Sequence, residues 1–166
     1  MFSVGFVKPD QHESLVVLLC ELFSYYNKPA DVSPEVVEAH LHNRLLAEDS
    51  PLRMVVAAGC HGDVVGMAAI SLTYSVVIPT PDGFKQCQLK ELYVREGQRR
   101  RGAGYALMKW VAHFACDQGC CRIDWPVKSD NDKGISFYQR LGALRVPNRA
   151  SYRLSGAKLR ALGAER

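Results

Sequence analysis

The sequence predicts an α/β (α+β) chain: a mixed β-sheet with helices on its faces, in the order β-α-α-β-β-β-α-β-α-β. Three observations lead there. Short segments of period-two apolar alternation recur between turn residues. Segments with apolar residues at helical spacing separate them. Hairpin-type pairs come first and a strand-helix-strand unit follows, which calls for both antiparallel and parallel pairing in one sheet. The 166 residues suit a single domain over 1–166, and a 48% hydrophobic fraction is enough for a core, which excludes disorder as the main state.

The elements follow in order. Phe2, Val4 and Phe6 alternate with Ser3, Gly5 and Val7 in a first strand broken by Pro9. Asp10 and Glu13 have capping-box spacing, and a helical pattern runs to about Tyr26 and stops at Asn27-Lys28-Pro29. Ser33-Pro34 starts a second helix that carries Val36, Val37, Leu41 and Leu45 and stops before Ser50-Pro51. Arg53–Ala58 and Val64–Tyr74 read as a hairpin joined through Gly59 to Asp63. Pro79 to Gly83 is a loop, and Lys85–Val94 is another strand. After a basic turn over 98–104, Leu107, Val111 and Phe114 mark a helix over 105–118 that Gly119 ends. Arg122–Val127 alternates as a strand whose Pro126 needs a bulge or an unpaired position. Ser129-Asp130-Asn131 caps a helix through Leu141, closed by Gly142. Leu144–Val146 and Ser151–Leu154 are short final strands, and Lys158 onward is a frayed basic tail.

The net charge of +4 hides an asymmetry. Residues 1–84 hold 4 Lys/Arg against 10 Asp/Glu, whereas residues 85–166 hold 17 against 7. The halves therefore carry −6 and +10, which suggests an anionic partner for one and a cationic partner for the other. No run approaches the ~18 apolar residues of a membrane span, and the Met1-Phe2-Ser3-Val4 start lacks a signal-peptide pattern, so a cytoplasmic location is expected. Cys20, Cys60, Cys87, Cys116, Cys120 and Cys121 show neither C-x-x-C nor zinc-finger spacing and read as free, buried thiols.

The most specific local feature is Arg99-Arg100-Arg101-Gly102-Ala103-Gly104 between a strand and a helix. A helix N-terminus presents unpaired N–H groups and the positive end of the dipole. Glycines let an anion approach the backbone, and arginines add charge-assisted bonds. Together they form a phosphate cradle. A basic surface turn explains the same residues. The segment is neither a Walker loop nor a full G-x-G-x-x-G, since position 107 is Leu.

Leu89-Lys90-Glu91-Leu92-Tyr93-Val94, followed after four residues by Arg99 to Gly104, resembles the acetyl-CoA signature of the GNAT family of N-acetyltransferases. Asn131 through Phe137-Tyr138 to Leu141-Gly142-Ala143 resembles that family's second segment, N-x-x-A-x-x-F-Y-x-x-L-G-A. Within the family the pattern is closest to diamine and polyamine acetyltransferase-like members. Lys90 stands where those relatives often carry an acid, and Gly134 where they carry Ala.

The resemblance implies a GNAT-like, mostly antiparallel sheet and transfer of an acetyl group from acetyl-CoA to the primary amine of a small molecule by direct attack. It also implies a homodimer, with neither nucleic acid nor membrane as partner. Leu92, Tyr93, Val94, Arg99, Arg100, Arg101, Gly102, Ala103, Gly104, Tyr105 and Asn131 would hold the cofactor. Tyr138 would hold it too and protonate the leaving thiolate; its spacing from Ile135 and Leu141 also fits a packed ring. Glu91 would be the base, directly or through water, and a solvent-facing strand residue fits equally. Tyr25, Tyr26, Trp125 and Phe84 are candidate acceptor walls, or ordinary core. Glu21, Asp31, Glu35 and Glu38 could attract a cationic amine, and His113 reads as a surface residue. A non-catalytic acyl-CoA-binding module, a protein or peptide N-acetyltransferase and a nucleic-acid binder are the competing functions.

Overall fold

The computed structural model describes residues 2–78 and 84–164; the loop expected over 79–83 lies outside them. The chain divides into two compact units, Met1–Pro126 and Val127–Arg166. In the first, β1 (Ser3–Phe6) leads through a 3-10 turn (Pro9–Gln11) into α1 (His12–Asn27) and α2 (Pro34–His40), which continues as a π-helical turn over Leu41–Leu45. Then come β2 (Arg53–Ala58), β3 (Val64–Tyr74), β4 (Lys85–Val94), α3 (Ala103–Asp117) and β5 (Cys120–Asp124). The second unit holds α4 (Asp132–Arg140) and α5 (Gly156–Ala164).

The expected sheet is present. Its order is β1-β2-β3-β4-β5, antiparallel except for the parallel β4–β5 pair. A parallel pair needs a crossover, and α3 supplies it. β2 and β3 are buried along nearly their whole length, as strands covered by helices on both faces must be. On one face Leu15 and Leu18 of α1 and Val37 of α2 pack with Met54, Val56, Met67, Ala69 and Tyr93. On the other, the α3 stripe of Leu107, Met108, Val111 and Ala115 is buried. Beside it, Phe6 packs edge-on to Trp110 and Phe114 at 4.9 and 5.2 Å.

Among the described residues, two bulges interrupt the antiparallel pairs. Ala57 pairs with Gly66 and Ala58 with Val64, which leaves Val65 as an extra residue; its carbonyl accepts the Arg95 N–H at 2.9 Å. In β4, Ala69 pairs with Glu91 and Ile70 with Leu89, so Lys90 is extra. Paired residues share a face. Glu91 and Tyr93 therefore stand with Ala69 and Met67 on the α1 side, while Leu89 stands with Ile70 on the α3 side. Simple alternation would have put Leu89, Glu91 and Tyr93 together.

Four local expectations are corrected. Asp10 is not the cap of α1: Pro9 starts a 3-10 turn one residue earlier, and Gln11 Oε1 accepts the Lys8 N–H at 3.0 Å. The strand expected over 122–127 is shifted to Cys120–Asp124, so Trp125 and Pro126 lie beyond its end. No strand forms over 144–154. Asn148 adopts φ 58°, and Leu144 and Tyr152 are 91% and 96% exposed, so no ladder or core holds this segment extended. The tail from Lys158 to Ala164 is helical, within α5, so the last element is a helix where a strand was expected. Of the six free cysteines only Cys87 is buried; Cys60, Cys116 and Cys121 are exposed. Burial, then the neighbouring Cys120, pushes the Cys87 thiol up to about 11. No helix among the described residues is long and apolar enough to cross a membrane.

Two outcomes follow from this packing. A Cβ on Gly66 would stand 3.0 Å from the Tyr93 carbonyl oxygen, 3.1 Å from Val94 Cγ2 and 3.2 Å from Leu107 Cδ1. Gly66→Ala should therefore destabilise by about 1–3 kcal/mol despite the better strand propensity of Ala, read as a lowered urea midpoint at constant slope. An unchanged or raised midpoint would show that β4 yields freely there. In the native protein at pH 8, iodoacetamide should modify Cys60, Cys116 and Cys121 and spare Cys87, as peptide mapping would report. Denaturant should make all six react.

Candidate functional site

Where β4 ends, the chain turns tightly into α3. The Gln98 N–H bonds the Arg95 carbonyl at 2.9 Å and the Arg99 N–H bonds the Glu96 carbonyl at 3.2 Å. Arg100 adopts φ 61° and Gly102 φ 91°. A left-handed residue at Gly102 ends the turn and lets α3 begin at Ala103, two residues before the expected Tyr105. The first closing bond of the helix is Ala106 N–H to Gly102 O at 2.9 Å. The amides of Ala103, Gly104 and Tyr105 thus belong to the first turn, the group a helix leaves without internal acceptors. Arg100, Arg101, Gly102 and Tyr105 are exposed, Gly104 is half-buried, and a Cβ on Gly102 would meet no atom within 4 Å. Glycine is required there by φ, and the space over it is open. Basic side chains, first-turn amides and that open space fit a phosphate-bearing group.

Beside this turn lies a half-covered strand. β5 follows β4 only through Lys85, Cys87 and Gln88, paired with Cys120, Ile123 and Asp124. β4 continues to Val94, so the backbone of Leu89–Val94 has β3 on one side and no strand on the other among the described residues. Leu92 is half-buried opposite Ala68, Tyr93 is buried opposite Met67, and Val94 lies opposite Gly66.

The α1 side of this edge gathers rings and charges. The Tyr26 hydroxyl donates to Glu91 Oε1 at 3.0 Å. The Tyr25 ring lies 5.1 Å from Tyr26 and 5.9 Å from Tyr93. Burial pushes the Tyr93 phenol up, opposed by the Arg99 guanidinium beside it. Arg99 was expected among the cofactor residues. Its backbone is in the turn, but its Nε donates to the Val94 carbonyl at 2.9 Å, and its guanidinium lies 5.6 Å from the Tyr25 ring centre and 5.5 Å from that of Tyr93. Arg95 and Glu21 form an ion pair at 3.0 Å, and Ser24 bonds Asp31 at 3.1 Å.

The structure thus brings Glu91, Tyr25 and Tyr26 together with Tyr93. Sequence reasoning missed Arg95 and the side chain of Arg99. A usable signal was present: Glu21 and Tyr25 are one helical turn apart, and Tyr93 and Arg95 are two strand positions apart. Phe84 does not join them. It precedes β4 at the end remote from Val94, where the Arg122 guanidinium sits 5.4 Å from its ring. Trp125 is half-buried just after β5. His113 is exposed and pairs with Asp117 at 3.4 Å.

In the second unit, Asn131 is the N-cap of α4, its Oδ1 accepting the Gly134 N–H at 3.0 Å. A Cβ at position 134 would come within 2.5 Å of Asn131 Nδ2, so an alanine there requires the Asn131 side chain to shift. Tyr138 lies on α4, half-buried, with its ring 5.2 Å from Phe137. Gly142, at φ 83°, closes the segment after α4.

Known proteins resemble this chain in sequence and fold. The thialysine N-epsilon-acetyltransferase of Caenorhabditis elegans is 23% identical over 163 residues, 95% of this chain and 94% of its own length. The streptothricin acetyltransferase of Streptomyces lavendulae is 33% identical over 95 residues, 57% of this chain; the matched stretch spans only 46% of that enzyme's length. An integron cassette protein from the mobile metagenome of V. cholerae superposes with a TM-score of 0.88 at 27% identity, covering 99% of this chain and 98% of its own. The sequence profile of the acetyltransferase (GNAT) family matches residues 17–143, which take in the first-turn amides, the half-covered strand and α4. The chain belongs to the acetyltransferase (GNAT) family.

Proposed function

We propose that this chain is an N-acetyltransferase, one catalytic domain over residues 1–166, that moves an acetyl group from acetyl-CoA to the primary amine of a small molecule. The observation that carries the reading is the turn into α3, with its Gly102-opened space and first-turn amides, set at the end of a β4 edge that no strand covers among the described residues. Similar proteins whose names specify amine acceptors support the same class.

Bound acetyl-CoA supplies the acetyl thioester and the phosphates. The residues of the chain then have separable tasks. Amides of the Arg99–Tyr105 segment, with Arg100 and Arg101, hold phosphate oxygens. The uncovered Leu89–Val94 backbone offers ladder-type donors and acceptors to an extended amide-bearing arm. A backbone N–H near Val94 polarises the carbonyl that is attacked. Glu91, held in place by Tyr26, takes the ammonium proton directly or through water. On family resemblance Asn131 would bond the cofactor side, and the Tyr138 hydroxyl would give its proton to the departing sulfur. The amine nitrogen would bond to the acetyl carbonyl carbon, and the C–S bond would then break to release coenzyme A as its thiol. Tyr25, Tyr26 and Trp125 wall the acceptor. A cytoplasmic homodimer, with neither nucleic acid nor membrane as partner, completes the reading on family resemblance.

Acetyl-CoA at a hundred times its Kd should stabilise the native state by about 2.7 kcal/mol, and the melting temperature should rise by about 5–10 °C. No rise at millimolar acetyl-CoA would sink the proposal. Tyr138→Phe should lower kcat at least ~100-fold while leaving that thermal shift intact. An unchanged kcat would remove Tyr138 as the acid.

A further inference from the structure

We infer that two copies of this chain pair by reciprocal strand exchange. The segment over 151–155 of one copy adds antiparallel to the open edge of β5 in the other, and the apolar residues around the segment seal the contact. The inference rests on the homodimer in the reading above and gives it an interface; it uses no step of the chemistry.

Leu144, Val146, Tyr152, Leu154, Leu159 and Leu162 fall within one short stretch, and each is 46% to 96% exposed. The helix in this stretch, α5, has nine residues and buries none of them. A helix of that length draws its stability from packing an apolar face, so the stretch lacks a covering surface. At roughly 60–120 Å² per large apolar side chain, about 300–500 Å² of apolar area stands open on each copy. A stable interface takes ~800 Å² from each partner, somewhat more than half of it apolar, and the exposed area meets that need. Within the stretch, Tyr152 and Leu154 alternate with Ser151, Arg153 and Ser155, which is the pattern of a strand. Among the described residues this segment joins no ladder.

The sheet supplies the matching half. β5 stands at its edge, and its ladder to β4 is parallel and rests on three residue pairs. β1, at the other edge, is held by four antiparallel pairs. Parallel pairing is the weaker kind per residue, and an open strand edge is a template for another chain. β5 therefore gains more from an antiparallel neighbour. Its five residues, Cys120–Asp124, equal the 151–155 segment in length. Every copy carries one unpaired strand sequence and one open edge, so reciprocal exchange between two copies uses both and closes the pair. Charge selects this arrangement over segment against segment. Residues 144–162 hold five Lys/Arg and no Asp/Glu, so two such stretches face to face would repel. The cation of β5, Arg122, is already paired with Asp124 at 2.8 Å.

The test measures mass in solution by light scattering and sedimentation over a concentration series, with hydrogen exchange of the peptide over 120–124. The unaltered chain should have the mass of two copies at micromolar concentration. Tyr152→Ser combined with Leu154→Ser should weaken the pair at least ~100-fold. Both side chains face solvent in the single copy, so the far-UV circular dichroism of the variant should stay native. Dissociation, by dilution or by these substitutions, should speed exchange over 120–124 and leave β1 unchanged. The mass of one copy throughout the series overturns the inference, and so does a single copy that instead sediments with phosphatidylserine vesicles. A double variant that pairs as tightly as the unaltered chain overturns the 151–155 interface and leaves a homodimer formed elsewhere. Exchange over 120–124 that ignores dissociation removes β5 as the receiving edge. The acetyl-CoA thermal shift is read separately: a single copy that keeps it retains the catalytic reading, and a dimer that lacks it retains only the interface.

Discussion

Lys90 has no partner opposite it in β3, and this one extra residue reverses which face the rest of β4 presents. Before it, Cys87 and Leu89 are buried in the same register as Leu72 and Ile70. After it, Glu91 and Tyr93 emerge beside α1. Without the bulge Glu91 could not meet Tyr26, and Tyr93 could not form a floor under Arg99. Beyond the bulge β3 and β4 approach so closely that a Cβ on Gly66 would stand 3.0 Å from the Tyr93 carbonyl oxygen. A second bulge at Val65 anchors the Arg95 amide and so sets where the strand ends and the turn begins.

From that point one arginine joins two regions. The backbone of Arg99 is part of the turn into α3, and its side chain lies across the rings of Tyr25 and Tyr93. A residue with both attachments lets the conformation of the turn and that of the aromatic wall depend on each other. Arg95, one strand position beyond Val94, plays a related part for α1 through Glu21. These contacts tie the C-terminal half of α1 to the end of β4, although 65 residues separate Tyr26 from Glu91.

The charge asymmetry along the chain acquires a different meaning in three dimensions. The basic half does contain the turn and α4, but two of its arginines, Arg95 and Arg99, stand among the carboxylates contributed by the acidic half and by Glu91. A linear excess of acid does not become an acidic surface when the fold brings cations to it. Net charge over a stretch of sequence reports composition, whereas a ligand meets the few groups within a Debye length of it.

The sequence by itself determined the element types and most of their ends. Arg53–Ala58, Val64–Tyr74 and Lys85–Val94 lie where period-two alternation and turn residues put them. Asn131 and Gly142 bracket α4 because cap and stop preferences are local. The two family motifs were legible for the same reason, since their spacing is a property of the chain. Only the tertiary structure decided which face Glu91 and Tyr93 occupy, because a bulge depends on the partner strand and leaves alternation intact in the sequence. Only it decided that Arg99 turns to Tyr25 and that Phe84 lies at the far end of β4. The segment over 144–154 shows the same limit from the other side: β-forming residues without a strand to pair with do not make a strand.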